Sequence, residues 1–498
     1  MAVLLIPRRR FLLGLAASSF ATASCGGSAR HRAGTARVEA RRRIPGKRIA
    51  VIGAGVAGLA AATRLRESGA DVLVIESLSR AGGRVFSVET PAWDGPQELG
   101  AQYMNDHYDS LLTLFGSARG EAPEPSVARL NGLTATIVNG SPVTIDGSRP
   151  TTYVSSGLVR SPDALAMAVS YSDVASGVRG LPLDDFGAWQ AEDGETAVSW
   201  LHRNYGDRAT DYVGIPAIEG LFFGSAAETS AATFKWMIAN ADRARNWYTS
   251  PTSNYAACTR VMNRLRSSGV TFVLENAAAV LIDDGAGRVQ VTMQNGDATV
   301  ADAAVVTVAG SSARALFPHP TPAQARVLAA DYAATIVVNV VAARPDPRLR
   351  RHGRVYGVSV PRVENPNGLI AAFSVESGKT ELSHGGRELY GFHLHDAAAR
   401  TAMDRSDDEI IEQVLREAER FVAGIRGDFV GAVVQRWPNA IPKMSVGHAA
   451  RCHELWKDQE RSSSRILVAG DRTTVATMDG AAWSGVRAAE ILEAKLST

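Results

Sequence analysis

Three glycines in Gly53-Ala54-Gly55-Val56-Ala57-Gly58 stand between an apolar run over 48–52 and a stretch of helical character reaching about residue 68. A second apolar run over 71–75 ends at Glu76. Strand, glycine turn, helix, strand and acid, in that order, make the unit that binds the phosphates of a dinucleotide. Each residue type has a physical reason. Gly53 permits the tight turn, Gly55 lets a pyrophosphate approach the backbone, and Gly58 lets the helix lie close to the strand. The phosphates are expected on free N–H groups at the positive helix end, around Val56 and Ala57. The Glu76 carboxylate is placed to accept from ribose hydroxyls.

FAD and NAD both satisfy that unit, and the residues that follow decide between them. Arg80-Ala81-Gly82-Gly83-Arg84 comes directly after Glu76, and Glu98-Leu99-Gly100-Ala101-Gln102 with Tyr103 comes soon after. Two adjacent glycines let backbone N–H groups close on an anion, and Arg84 adds a forked charged donor. Here the chain resembles the flavin-containing amine oxidase superfamily, which includes monoamine, polyamine and L-amino-acid oxidases, protoporphyrinogen oxidases and carotenoid desaturases. The resemblance implies that the R-x-G-G-R loop crosses the flavin pyrophosphate and that the segment around Gly100, Ala101, Gln102 and Tyr103 runs beside the isoalloxazine.

The C-terminal end carries a second match. Ile466-Leu467-Val468-Ala469-Gly470-Asp471 reads as a buried strand ending in Gly-Asp, and Met478-Asp479-Gly480-Ala481-Ala482-Trp483-Ser484-Gly485 opens a helix. By resemblance, Asp471 lies near the ribityl chain, and Met478, Asp479, Gly480 and Ala481 form a helix N-terminus aimed at the flavin pyrimidine. A helix dipole there stabilises negative charge on reduced flavin. The implied cofactor is non-covalent FAD, because the stretch 474–483, where flavin-linking cysteines of the family lie, holds neither Cys nor His.

These motifs must be positioned by an α/β fold, a Rossmann-type FAD-binding domain with an inserted α+β substrate domain. The FAD-binding part is expected from 48–125, 250–310 and 441–498, and the substrate part from 126–249 and 311–440. Over 270–307 short strands alternate with turns at Asp284-Gly285 and Asn295-Gly296. The adenine contact is expected near Ala278 or Ala279.

The substrate part names no catalytic residue. Residues 216–225 and 436–448 look like protoporphyrinogen oxidases and carotenoid desaturases. The family's usual lysine near flavin N5 is replaced by Thr335, and the usual aromatic before the closing Met-Asp-Gly by Thr477. Both departures point away from simple amine oxidation. Trp437, Trp483 and Tyr103 are candidates for the pocket wall, with core packing the alternative for each. Asp106-His107-Tyr108-Asp109 is a candidate for proton transfer. His393-Leu394-His395 has a two-residue spacing compatible with a metal, but without a third ligand in a recognisable pattern no metal site is expected.

The net charge of +2 conceals an asymmetry: residues 1–48 hold eleven Lys/Arg and Glu39 as the one acid, leaving 42 basic and 50 acidic residues elsewhere. A mildly acidic body argues against nucleic acid as a partner. The three cysteines, Cys25, Cys258 and Cys452, are too few for a disulfide framework. Residues 1–25 read as an export signal. Arg8-Arg9-Arg10-Phe11-Leu12 is similar to the twin-arginine motif and precedes a short apolar run. The twin-arginine export machinery is therefore an expected partner, and the expected location is periplasmic or extracytoplasmic. Cys25 is open to two readings, a lipid anchor or an unmodified residue. Residues 26–47 read as a disordered basic linker, suited to an anionic membrane surface. The expected function is hydride transfer from a small-molecule substrate, an amine or an apolar conjugable molecule, to flavin N5. Oxygen or another acceptor would reoxidise the flavin. A desaturase or protoporphyrinogen-oxidase-like dehydrogenase is the alternative, and a non-catalytic binding protein on the same fold is the reading from another class.

Overall fold

The computed structural model describes residues 43–116, 128–130, 133–146, 151–250, 252–351, 353–379 and 385–497. The expectations for Arg8, Arg9 and Cys25 lie outside these residues.

Five short strands form an all-parallel sheet, in the order Thr271–Val273, Asp71–Ile75, Arg48–Ile52, Ala303–Val306 and Ile466–Val468. They come from widely separated stretches, and registers such as Val51↔Val74 and Val51↔Val305 hold them together. Their apolar runs are continuous because both faces are covered. Ile49, Val51, Val74, Val305 and Leu467 pack under the helices Val56–Glu67, Asn254–Ser267 and Met478–Leu496. The alternate residues Ala50, Ile52, Ala304, Val306 and Val468 face the other way, toward a three-stranded antiparallel sheet over 278–301.

The second sheet has seven strands, in the order Phe429–Pro442, Tyr332–Ala342, Glu388–Leu394, Ile370–Val375, Val355–Ser359, Leu133–Val138 and Ser141–Ile145. Neighbours are antiparallel except for Val355–Ser359 against Leu133–Val138. Period-2 alternation sorts its residues. Ile336, Val338, Val340, Phe373, Tyr390 and Phe392 bury against the helix Asp407–Ala418 and its neighbours. Thr335, Val337 and Asn339 face the other side, joined there by His393 opposite Val337 and Trp437 opposite Thr335. Phe429–Pro442 tolerates Pro438 and Pro442 because it is an edge strand. A helical lobe over 151–243 completes this half around Phe186, Trp189, Trp200, Tyr205 and Phe234.

No helix of the described residues is long and apolar enough to cross a membrane.

Candidate functional site

The site is built at the C-terminal ends of the parallel strands, where an open α/β sheet leaves a crevice. Gly53 turns the chain with a φ of +105°. A Cβ on Gly58 would lie 1.9 Å from the Gly53 carbonyl oxygen, so the helix–strand approach requires glycine. At Gly55, by contrast, a Cβ would meet nothing within 4 Å. The helix Val56–Glu67 begins with no side-chain cap and no acid in its first turn. The first N–H groups of any helix have no partner inside it, and here neither cap nor carboxylate compensates them. Gly82 and Gly83, both with positive φ, bring the R-x-G-G-R loop against this opening. The Gly82 N–H donates to the Ala54 carbonyl at 2.9 Å, and Gly55 bridges Gly82. A bare helix end facing a glycine-walled space fits a pyrophosphate.

Glu76 is 7% exposed at the tip of its strand. Its carboxylate accepts from the Ala54 N–H at 2.7 Å, the Leu78 N–H at 2.9 Å and the Ser77 hydroxyl at 3.1 Å. It thus ties the glycine turn to the second strand in addition to any ribose it meets. Arg84 is tied to the second flavin motif. Its fork grips Asp471 at 2.7 and 2.9 Å and also donates to the Ala440 carbonyl at 2.8 Å. Burial opposes the charge of Arg84, but Asp471 outweighs it and raises the guanidinium pKa. The guanidinium fork and the Asp471 carboxylate therefore satisfy each other and join the two flavin motifs to the end of the large sheet.

Asp479 has a partner outside its own helix. It sits in the first turn of Met478–Leu496, yet its buried carboxylate accepts from the Leu111 N–H at 2.9 Å in the helix Asp109–Phe115. That side chain braces the neighbouring helix, while the backbone of Met478–Ala481 still opens the helix as expected. Burial pushes its pKa up to about 8, partly offset by that N–H. Beside it, Thr477 caps the Gly480 N–H at 2.9 Å, Met478 lies in the apolar core and Ala481 packs at its edge. The sequence alone does not show that Asp479 faces a neighbouring helix.

The segment from Glu98 to Tyr103 is fastened to the R-x-G-G-R loop by Leu99 N–H to Phe86 and Ala101 N–H to Arg84. A Cβ on Gly100 would lie 2.0 Å from the Arg84 carbonyl, which fixes glycine there. The large sheet closes over this segment. Asn339 donates to the Glu98 carbonyl at 3.0 Å and the Trp437 indole to the Leu99 carbonyl at 2.7 Å. Beneath the sheet, Gln102 accepts from the Lys379 ammonium at 2.6 Å. Burial pushes the Glu98 carboxyl up to about 8, partly offset by the Asn254 N–H and Lys379. His393 stacks on Phe223 at 5.6 Å, and burial and then the Lys379 charge lower it to about 4, so it is neutral at neutral pH.

Lys379 and Asn339 are not legible as site residues, and the sequence marks His393 only as half of a metal-compatible pair. Lys379 lies 44 positions beyond Thr335, on the one-turn helix Glu376–Lys379, and no spacing rule connects it to Gln102. Thr335 itself is buried and donates to the Leu394 carbonyl at 2.7 Å. Trp483 meets Trp456 edge to face, which is core packing. Asp106 and His107 tie down the 243–246 loop, binding the Asn246 N–H at 3.1 Å and the Arg243 carbonyl at 2.7 Å, and so do not stand ready for proton transfer. His395 pairs with Glu219 and Arg362, apart from His393.

The family of flavin containing amine oxidoreductases matches residues 192–492, and the family of NAD(P)-binding Rossmann-like domains matches residues 51–117. The mitochondrial protoporphyrinogen oxidase of Nicotiana tabacum is 29% identical over 183 residues, covering 35% of this chain and 32% of that one. An L-amino-acid oxidase of Mus musculus is 45% identical over 70 residues, covering 14% and 11%. The chain thus aligns with only a minor part of these relatives' lengths. Among solved structures, the cyclohexylamine oxidase of Brevibacterium oxydans superposes with a TM-score of 0.70 at 16% identity, covering 91% of this chain and 100% of that one. Putrescine oxidase bound to putrescine gives 0.68 at 17% identity, covering 90% and 99%. Glycine turn, R-x-G-G-R loop and Gly-Asp strand meet at one crevice in a Rossmann-type fold, and the chain belongs to the flavin-containing amine oxidoreductase family.

Proposed function

We propose that this FAD-dependent oxidoreductase binds FAD non-covalently and removes hydride from a C–H bond of a small substrate. The C–H lies beside nitrogen or within a conjugable chain. The observation that carries the reading is the uncapped start of Val56–Glu67 open at Gly55 and walled by Gly82 and Gly83. FAD supplies the redox chemistry when bound, accepting hydride and passing electrons to oxygen or another acceptor. The chain supplies position: Val56 and Ala57 hold the phosphates, Glu76 the ribose, and the Gly100–Tyr103 segment supports the ring system.

The substrate face supports an apolar, planar molecule over a protonated amine. A neutral His393 stacked on Phe223 shares the sheet face with Val337 and Thr335, and the buried Lys379 charge lies close by. Glu376 pairs with Lys379, so the pair offers a cationic substrate no net attraction. This observation favours the desaturase or protoporphyrinogen-oxidase-like alternative. A non-catalytic role on the same fold, as in GDP dissociation inhibitors, is disfavoured by the intact Arg84 and Asp471.

Purified protein should be yellow, and the colour should leave the pellet on acid precipitation. Under anaerobic conditions a polyene or porphyrinogen-like substrate should bleach it, with primary amines the competing arm. A colourless protein, or bleaching by neither class, would count against the reading. Export through the twin-arginine route belongs to the same proposal. Arg8→Lys with Arg9→Lys keeps the charge but removes the guanidinium pair, and should trap FAD-loaded protein in the cytoplasm.

A further inference from the structure

Of the six lysines in the chain, Lys379 is the one buried among the described residues, at 2% exposure. Its ammonium does not simply close an ion pair on its own turn. It binds Glu376 at 2.7 Å and then reaches across the interface to Gln102 Oε1 at 2.6 Å, 277 positions away. It also lies 5.3 Å from the centre of the Tyr103 ring, over its face. The Glu376 side chain keeps 19% of its surface exposed while that of Lys379 keeps 1%, so the positive end is the buried one. Burial works against the ammonium, but Glu376, Tyr103 and Glu98 outweigh it and raise its pKa, so it is a fixed charge and not a base. Glu98, whose charge also favours the ammonium, is itself driven toward the neutral form by burial.

A fixed buried charge held on Gln102 and Tyr103 acts on whatever that segment supports. We infer that Lys379 is a positioning residue that fixes Gln102 and Tyr103 and imposes a positive potential on the redox group beside them. This rests on the FAD reading. It assigns the chain a cation that Thr335 does not provide, brought from a different element and acting through Gln102 and Tyr103. Charge near a flavin ring tunes how readily it takes up electrons, because the reduced form carries more negative charge. The aromatic contact adds a cation–π component that a neutral replacement cannot reproduce.

The test compares the wild type, Lys379→Arg, Lys379→Gln and the double variant Glu376→Gln/Lys379→Met, each purified with its FAD. The double variant removes both charges together and so leaves no unpaired carboxylate behind. Flavin content and visible spectrum are read first. Each protein is then reduced slowly in the presence of a reference redox dye, and the ratio of reduced to oxidised flavin is compared at one dye ratio. Lys379→Gln, which removes only the positive charge, should retain flavin but show a ratio lower by about tenfold, and the double variant, which removes opposite charges together, should show a smaller drop. Lys379→Arg should stay within about threefold of wild type, since it keeps the charge. A wild-type ratio in flavin-loaded Lys379→Gln, or an equal drop in Lys379→Arg, would overturn the inference. Lys379→Gln still offers Gln102 a donor, and if it fails to fold the double variant reads the same direction of change with a smaller size. Absence of flavin from the wild type would instead remove the flavoprotein reading itself, before Lys379 is reached.

Discussion

Arg84 and Asp471, 387 positions apart, form a two-point ion pair with N···O distances of 2.7 and 2.9 Å. Each belongs to a different flavin motif, and the same guanidinium holds the Ala440 carbonyl at the end of the large sheet. Three separated stretches are thus locked at one point. The planar guanidinium makes this geometry possible, and lysine in its place would supply only a point charge.

Arg84→Met should therefore lower stability and flavin content together. Asp471 would be left with an unpaired carboxylate whose side chain is only 11% exposed. Breaking a buried pair typically costs about 3–5 kcal/mol, and the 29% exposure of Arg84 places the cost nearer about 2–3 kcal/mol. Arg84→Lys should recover only part of it. Thermal melts with parallel flavin absorbance check this, and an unchanged melt in Arg84→Met would remove the pair from the joint.

Gly55 and Gly58 should separate binding from folding. Gly58→Ala drives a Cβ to 1.9 Å from backbone and must shift the helix, an overpacking cost of about 1–3 kcal/mol. Gly55→Val fills open space, so the apoprotein should melt as the wild type does while losing FAD. Equal FAD retention in Gly55→Val would take Gly55 out of the phosphate site.

The glycine spacing made this part of the site legible because backbone approach leaves a mark in residue type. The same holds for Gly100 and for the continuous apolar runs of the parallel sheet. Asp479 and Lys379 left no such mark. What each carboxylate or ammonium meets is decided by packing between elements distant in the chain, as Asp479 against Leu111 and Lys379 against Gln102 show. Arg84 lay between these cases. Its type announced a charged contact, but only the fold reveals that Asp471 is its partner.

Asp479 should make stability fall as pH rises. Its carboxyl titrates at about 8 in the folded chain, above the ordinary aspartate value of about 4. The folded state therefore binds more protons than the unfolded state between those values. Its contribution is fully present below about pH 4, is lost progressively up to about pH 8 and is flat above. The slope is at most about 1.4 kcal/mol per pH unit for one group. Glu98, also pushed up to about 8, contributes with the same sign. Asp479→Asn keeps an oxygen for the Leu111 N–H and cannot ionise, so it should match wild type near pH 4 and exceed it near pH 8. Denaturant melts at both pH values decide it, and a difference that stays constant with pH would sink the assignment.

Glu76 tests which nucleotide the crevice holds. Its two oxygens already accept from the Ala54 and Leu78 N–H groups, which orients the carboxylate at the strand tip beside the glycine turn. Oε1 also accepts from the Ser77 hydroxyl, so Oε2 is the oxygen that retains a lone pair for a ribose hydroxyl. Glu76→Gln keeps one acceptor for the Ala54 N–H, so the turn should persist while the charged acceptor is lost. Hydrogen bonds to charged groups contribute about 1.5–3 kcal/mol, so FAD affinity should fall roughly ten- to a hundredfold. The segments around Gly100 and Asp471 are held by separate contacts, so the visible spectrum of the FAD-saturated variant should stay near wild type. Apoprotein of both forms is titrated with FAD and with NAD, following protein fluorescence. Unchanged FAD affinity in the variant would confine Glu76 to bracing the turn, and wild-type protein that takes up NAD in preference to FAD would reverse the choice of dinucleotide.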